Sequence, residues 1–146
     1  MQFTKEELGE LLSGPKPLLL AGLDLSKASL SRVDLSKADL SNSDLSRAFL
    51  DDAKLRYANL SKANLEDADL SEANFHGATL ANADLTGANL QGADLSGANL
   101  TNANLSHANL TGANLSGINV SGAQFTKFTQ WASGFDPVAA GAVLSD

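Results

Sequence analysis

Two histidines, His76 and His107, stand in a chain rich in serine and aspartate. A Ser-His-Asp relay is therefore the first chemistry to weigh. It requires a base held within hydrogen-bond reach of its nucleophile, inside a pocket. Both histidines fall at variable positions of a short repeat, and both are expected to be solvated. The aspartates Asp34, Asp39 and Asp44 raise calcium. A calcium loop takes ligands from alternate positions, with an internal glycine and a closing glutamate; a step of five supplies neither. The chain has no cysteine, which excludes disulfides, thiolate catalysis and cysteine-bound zinc. Asn59-Leu60-Ser61 and Asn99-Leu100-Thr101 match a glycosylation triplet, but the repeat generates that triplet by itself. No catalytic, metal-binding or cofactor-binding residue is expected, and no cofactor.

What positions these residues is a period of five. Leucine recurs at every fifth position from Leu20 to Leu70 and from Leu80 to Leu115, with Phe75, Val120 and Phe125 completing the series. Alanine stands two residues before each centre, except at Leu18, Leu23, Val33, Ser43 and Ile118. Asp or Asn usually lies between, Ser or Thr follows, and a variable residue ends the unit. Residues 18–127 hold 22 such repeats.

A period of five suits neither regular element. On an α-helix it advances about 140° beyond a full turn, so the leucines would circle the helix. In a straight strand, an odd step sends successive leucines to opposite faces. The chain must bend once per repeat, so that every Ala and Leu points inward and every Asp or Asn outward. The Ser/Thr-variable pair then forms the corner. Such a coil stacks on itself at strand spacing, about 4.8 Å. Leu25, Leu45, Leu65, Leu70, Phe75, Leu90 and Leu110 are expected in its core.

The run Ala-Asn-Leu-Thr-Gly-Ala-Asn-Leu-Ser-Gly around Leu110 and Leu115 resembles the pentapeptide-repeat family. The resemblance implies an all-β fold, a right-handed quadrilateral parallel β-helix with four repeats per coil. It would give about 5.5 coils and a rod roughly 26 Å long.

Stacked solenoids need capped ends. Residues 1–17 are expected to form a capping helix and turn. Thr4-Lys5-Glu6-Glu7 reads as a capping box, Leu8, Leu11 and Leu12 form an apolar stripe, and Ser13-Gly14-Pro15 stops the helix. Residues 128–146 break the repeat and are expected to form a second cap on Trp131 and Phe135. There Asp136-Pro137 reads as an N-cap and first helical residue. The stretch from Trp131 to Pro137 is similar to tails of cyanobacterial family members. A monomer or an end-to-end homodimer fits this layout.

The net charge is −7, which argues against direct binding of nucleic acid. No apolar run approaches the length of a membrane span, and the N-terminus lacks a leader's pattern; no membrane association is expected, and a cytoplasmic location is. Residues 23–75 carry seven basic and ten acidic side chains, whereas residues 76–126 carry Asp84 and Asp94 alone. Stacking by twenty places Arg32, Asp52 and Glu72 in one column and Arg47 below Asp67, and these charges are expected to pair along the rod. Phe49 and Tyr57 interrupt the outward positions and, with Arg56, Asp51 and Asp52, form a candidate protein-contact patch. The chain is not expected to be an enzyme. The solenoid, the absence of chemistry and this patch point to a rigid interaction scaffold of cyanobacterial type for an unidentified protein partner. The alternative is a DNA-mimicking modulator of DNA gyrase, and a remote one is ice binding. The last would need a threonine ladder, but Thr86, Thr101, Thr111 and Thr126 are expected on different corners.

Overall fold

The computed structural model describes residues 1–145. Parallel bridges tie each residue at the Asp/Asn position to the one twenty residues later, from Leu19–Asp39 through Asn104–Gln124. Four repeats therefore make one coil, and the fold is a right-handed quadrilateral parallel β-helix. Each side consists of the three residues Ala-Asp/Asn-Leu and contributes one bridged residue per coil. The sides are numbered 1 to 4 after Leu20, Leu25, Leu30 and Leu35.

Where the Asx turn forms, the repeat pairs all of its backbone amides, as residues 83–87 illustrate. The Ala83 N–H donates to the Leu80 carbonyl (3.1 Å) across the corner, Asp84 to Ala63 in the preceding coil (3.0 Å), and Leu85 to Asn104 in the following coil (2.8 Å). Gly87 donates to Ser106 (2.9 Å), and Thr86 donates to the Asp84 Oδ1 (3.0 Å). All five amides are paired, as burial in a stacked coil requires.

The consensus follows from this geometry. The Asp or Asn side chain accepts the amide of the Ser or Thr two residues on, an Asx turn that starts the corner. The hydroxyl often donates to the same oxygen, as Ser46 does to Asp44 at 2.7 Å. The last residue of the repeat takes a left-handed conformation at all 21 corners from Gly22 to Gly122. Eight of these are glycine and thirteen are not, among them Arg32, Tyr57 and Glu72. A positive φ at the third turn residue, with a bond from the fourth amide to the first carbonyl, is the type II pattern.

The core is four columns of leucine flanked by alanine. Leu25, Leu45, Leu65, Leu70, Phe75, Leu90 and Leu110 are all fully buried. Each buried leucine is worth roughly 1.5–3 kcal/mol relative to exposure. Ser43 stands in an alanine slot, and its hydroxyl donates to the Leu40 carbonyl at 2.6 Å, so this buried donor is satisfied.

Helix α1, Lys5–Leu12, closes the first coil. Thr4 caps it reciprocally: the Glu7 amide donates to Thr4 Oγ1 (3.1 Å) and the Thr4 amide to Glu7 Oε2 (2.7 Å). Leu8 is buried, and Leu11 and Leu12 pack against the core. Before the helix, Gln2 bonds to Asp24 through backbone and side chain, laying the N-terminal segment under side 2.

At the other end the tail is less a lid than a continuation of the ladder. Lys127 lacks the left-handed conformation of the earlier corners, and the turn moves on to Lys127–Phe128. Thr129 Oγ1 accepts the Thr126 amide and donates to the Leu105 carbonyl. One extra residue then lets Gln130 pair with Asn109 on side 3. Strand β1, Gln124–Phe125, pairs in parallel with β2, Val143–Leu144, on side 2. Asp136 caps a single turn, its Oδ1 accepting the Ala139 amide (3.1 Å), rather than a helix. Trp131 and Phe135 pack beside Phe125 over the last coil.

Candidate protein-contact surface

The outward positions are mostly spoken for. The Asp/Asn carboxyl or amide oxygen is engaged within its own repeat wherever the Asx turn forms. Four of these aspartates, Asp24, Asp34, Asp39 and Asp94, are held below the usual carboxylate range. The main cause is the hydroxyl of the serine two residues on, and the second is that serine's amide. For Asp94, the charges of His76 and Arg56 add to the effect. A lowered folded-state pKa stabilises the fold above the unfolded value, about 3.9 for Asp, and that stability is lost as pH falls through the folded value. The denaturation midpoint should hold steady from neutral pH to about 5 and decline below 4. Replacing all four by Asn keeps the accepting oxygen and removes the titration. Urea unfolding against pH should then show a shallower acid limb for the fourfold Asn variant, and an unchanged limb would refute this account.

The histidines lie apart. His107 is exposed at the corner after side 2, where its ring stacks on Phe128 at 5.1 Å. His76, at the corner after side 4, departs from the solvated position expected of it and is half-buried. Its Nδ1 lies 2.8 Å from Ser96 Oγ, and that hydroxyl donates to Asp94 Oδ1 at 2.6 Å. Serine stands between the other two groups, with its proton directed at the carboxylate. This is a structural chain and not a nucleophile with its base. No group of His, Asp and Glu able to hold a metal forms among the described residues; Asp34, Asp39 and Asp44 occupy sides 4, 1 and 2.

Two further expectations need correction. Thr86 and Thr126 share one corner column, with Ser106 between them, because they are forty residues apart. The hydroxyls of Thr86, Thr101 and Thr111 donate to Asp84, Asn99 and Asn109 of their own repeats, so the column still offers no free hydroxyl ladder. The charged columns also fail to close into ion pairs. Among the described residues the single bridge joins the N-terminal ammonium to Asp24 (3.7 Å). Arg32, Asp52 and Glu72 are exposed at left-handed corners, where holding two long side chains together gains little. Side chains lean instead on glycines of the next coil. A Cβ on Gly92 would meet the Glu72 carboxylate at 2.2 Å, and one on Gly87 would meet Asp67 at 2.3 Å.

The aromatic pair does not form one flat patch. Phe49 is 51% exposed in the middle of side 3, whereas Tyr57 is 53% exposed at the corner after side 4. Asp51 and Asp52 occupy the corner after side 3, between them along the chain, and Asp51 accepts the Ser31 hydroxyl. Tyr57 has company of its own. Its ring meets His76 edge-on at 5.5 Å, and the Arg56 guanidinium lies 5.7 Å from its centroid. It covers Gly77, where a Cβ would come within 2.4 Å of the ring. Only the twenty-residue stacking brings His76 to Tyr57, so the pairing was readable from the repeat once the number of sides was known. A second apolar exposure lies at the C-terminal end: Phe128, Val143 and Leu144 are exposed, and His107, Phe128 and Leu144 line a groove of about 270 Å³.

Sequence profiles of pentapeptide repeats match residues 19–52, 48–87, 80–117 and 88–126. Comparison with curated proteins gives no match. Among solved structures, the chain is similar to the pentapeptide repeat protein Rfr23 from the cyanobacterium Cyanothece 51142. Identity is 43% and the TM-score 0.56, over 68% of this chain and 64% of that one. It is also similar to a pentapeptide repeat protein of the Arabidopsis thaliana thylakoid lumen, at 36% identity and a TM-score of 0.50, over 74% of this chain and 65% of that one. The chain thus spans just under two thirds of the length of each.

Proposed function

The chain belongs to the pentapeptide-repeat family, and from that membership we propose that it works as a rigid scaffold that binds another protein through its outer surface. One observation carries the reading. Among outward positions of residues 23–75 otherwise taken by polar or charged side chains, Phe49 and Tyr57 each stand half-exposed. Aromatic side chains are enriched at protein interfaces because they offer large contact area for few rotatable bonds. A stacked coil also holds its side chains on a fixed lattice, which lowers the ordering cost of binding.

Mimicry of DNA fits less well. A duplex presents dense charge of one sign along its whole length, whereas residues 76–126 carry two acidic side chains.

The test uses the tagged chain as bait in cyanobacterial lysate, beside Phe49→Ala and Tyr57→Ala as separate variants because they face different ways. A protein retained by the parent and lost with one variant is expected, and it identifies the contacting side. Retention unchanged in both variants, or no retained protein, overturns the reading. Gyrase subunits among the retained proteins would favour mimicry and call for a supercoiling assay.

A further inference from the structure

The corner at Tyr57 differs in charge from the rest of the molecule. The protein is acidic overall, at −7, yet this corner gathers Lys37, Lys54 and Arg56 within two adjacent coils. Lys37 stands directly below Tyr57 in the corner column. Lys54 lies on the adjoining side 4 and is bridged through the backbone to Asp34 below and Asn74 above. All three cations are exposed, and none forms an ion pair among the described residues. The two carboxylates of side 4, Asp34 below Lys54 and Asp94 two coils above it, accept hydrogen bonds from Ser36 and Ser96 and lie beyond ion-pair distance of the three cations, which outnumber them.

The same corner is braced. Tyr57 rests on the bare backbone of Gly77 and against the edge of His76, and His76 is fixed through Ser96 to Asp94. Arg56 lies over the tyrosine ring, a cation–π arrangement that orders both groups. Tyr and Arg held ready in this way are the side chains that most often dominate binding energy at interfaces.

We propose that this corner is the docking site for an acidic segment of a partner protein, one with clustered Asp or Glu around an aromatic or aliphatic residue. The inference rests on the scaffold reading and specifies the partner's chemistry. Three unpaired cations call for carboxylates, and the exposed ring of Tyr57 calls for an apolar neighbour. The span is short. Two coils cover about 5–10 Å along the axis, and Asp51, Asp52 and Glu72 stand at the next corner. A long polyanion such as nucleic acid would run onto those carboxylates, whereas a short acidic peptide would not. Complementary charge of this kind sets orientation and partner choice.

The test is a titration of the isotope-labelled full chain with an acetylated, amidated peptide, Asp-Glu-Tyr-Glu-Asp, followed by amide chemical shifts. Shifts confined to Lys37, Lys54, Arg56, Tyr57 and His76 are expected. The affinity should fall about tenfold or more in Lys54→Glu/Arg56→Glu, whose exposed positions leave the melting temperature unchanged, and should weaken as salt screens the charges. The Asn/Gln version of the peptide should bind more weakly by a similar factor. No shifts at millimolar peptide, shifts elsewhere, equal binding of the neutral peptide, or an unaffected double variant would overturn the proposal. So would equally tight binding of a short single-stranded oligonucleotide at the same residues. The scaffold reading fails separately: a captured protein that ignores Lys54 and Arg56 leaves the scaffold standing and removes the docking site. Peptide binding without any captured protein does the reverse.

Discussion

Leu70→Asp is expected to abolish cooperative folding. Leu70 is fully buried on side 3, in a column with Leu50 below and Leu90 above. The substitution removes roughly 1.5–3 kcal/mol of burial. It also places a carboxylate where no donor is within the column, and an unpaired buried charge costs several kcal/mol more. Together these approach the whole stability of an ordinary domain, about 5–15 kcal/mol. Leu70→Ala separates the two effects. It leaves a cavity without a charge and should cost about 2–5 kcal/mol while the protein stays folded. Glu72→Ala, two residues away and exposed at its corner, should move stability by less than about 0.5 kcal/mol. Circular dichroism during thermal unfolding distinguishes the three. A normal transition for Leu70→Asp would contradict the stacked-column core.

The second large effect is expected from Trp131→Ala, and it should be local. Trp131 meets Phe125 edge-on at 5.5 Å and Phe135 at 5.1 Å, closing the apolar end of the rod. It is half-buried, so the loss should fall below the 3–5 kcal/mol typical of a fully buried aromatic, at about 1–3 kcal/mol. In a solenoid, stability is close to a sum over neighbouring coils, and a damaged end need not melt the middle. Hydrogen exchange should therefore speed up at Val143 and Ser145, whose amides bond to Ala123 and Phe125, while Leu65 and Leu70 keep their protection. Trp131→Phe tells packing from polarity. The indole Nε1 is buried without a hydrogen-bond partner, so removing it while keeping a ring should be close to neutral. Uniform loss of protection along the chain after Trp131→Ala would show that the tail supports the fold as a whole.

How far the residues reveal this architecture depends on the interaction involved. The inward columns were legible because Ala and Leu two apart must share a face, whatever the number of sides. The number of sides was not: period five demands one bend per repeat and says nothing of how many bends close a coil. The left-handed corner was also hidden. Eight glycines hint at it, but Arg32, Asp52, Tyr57 and Glu72 adopt the same conformation, because the stacked ladder outweighs their local preference, even after Ser29, Phe49 and Lys54, which form no Asx turn. The Asx turn could have been read from Asp/Asn-Leu-Ser/Thr, whose outer residues are two apart and chemically matched. Ion pairing does not follow from the columns, because adjacency fixes Cα positions and not the ends of long side chains. The tail lay beyond reach for a different reason. Gln130 and Val143 rejoin the ladder at offsets of 21 and 19 residues, and no repeat marks either. For the contact surface, the sequence singled out Phe49 and Tyr57 as unusual, and the coil then separated them.

The fourfold coil has a consequence for how such a gene can change length. Loss of fifteen nucleotides removes one repeat, and each remaining repeat can still turn its corner and join the ladder. Everything beyond the deletion, however, turns a quarter of the way round relative to everything before it. Residues on either side of the seam then acquire new vertical neighbours, so Tyr57 would no longer meet His76 if a repeat between them were lost. Loss of sixty nucleotides removes a full coil and leaves every remaining column in line. Small insertions and deletions are thus cheap for folding and disruptive for any surface that spans the seam, while whole-coil changes shorten or lengthen the rod without re-addressing it.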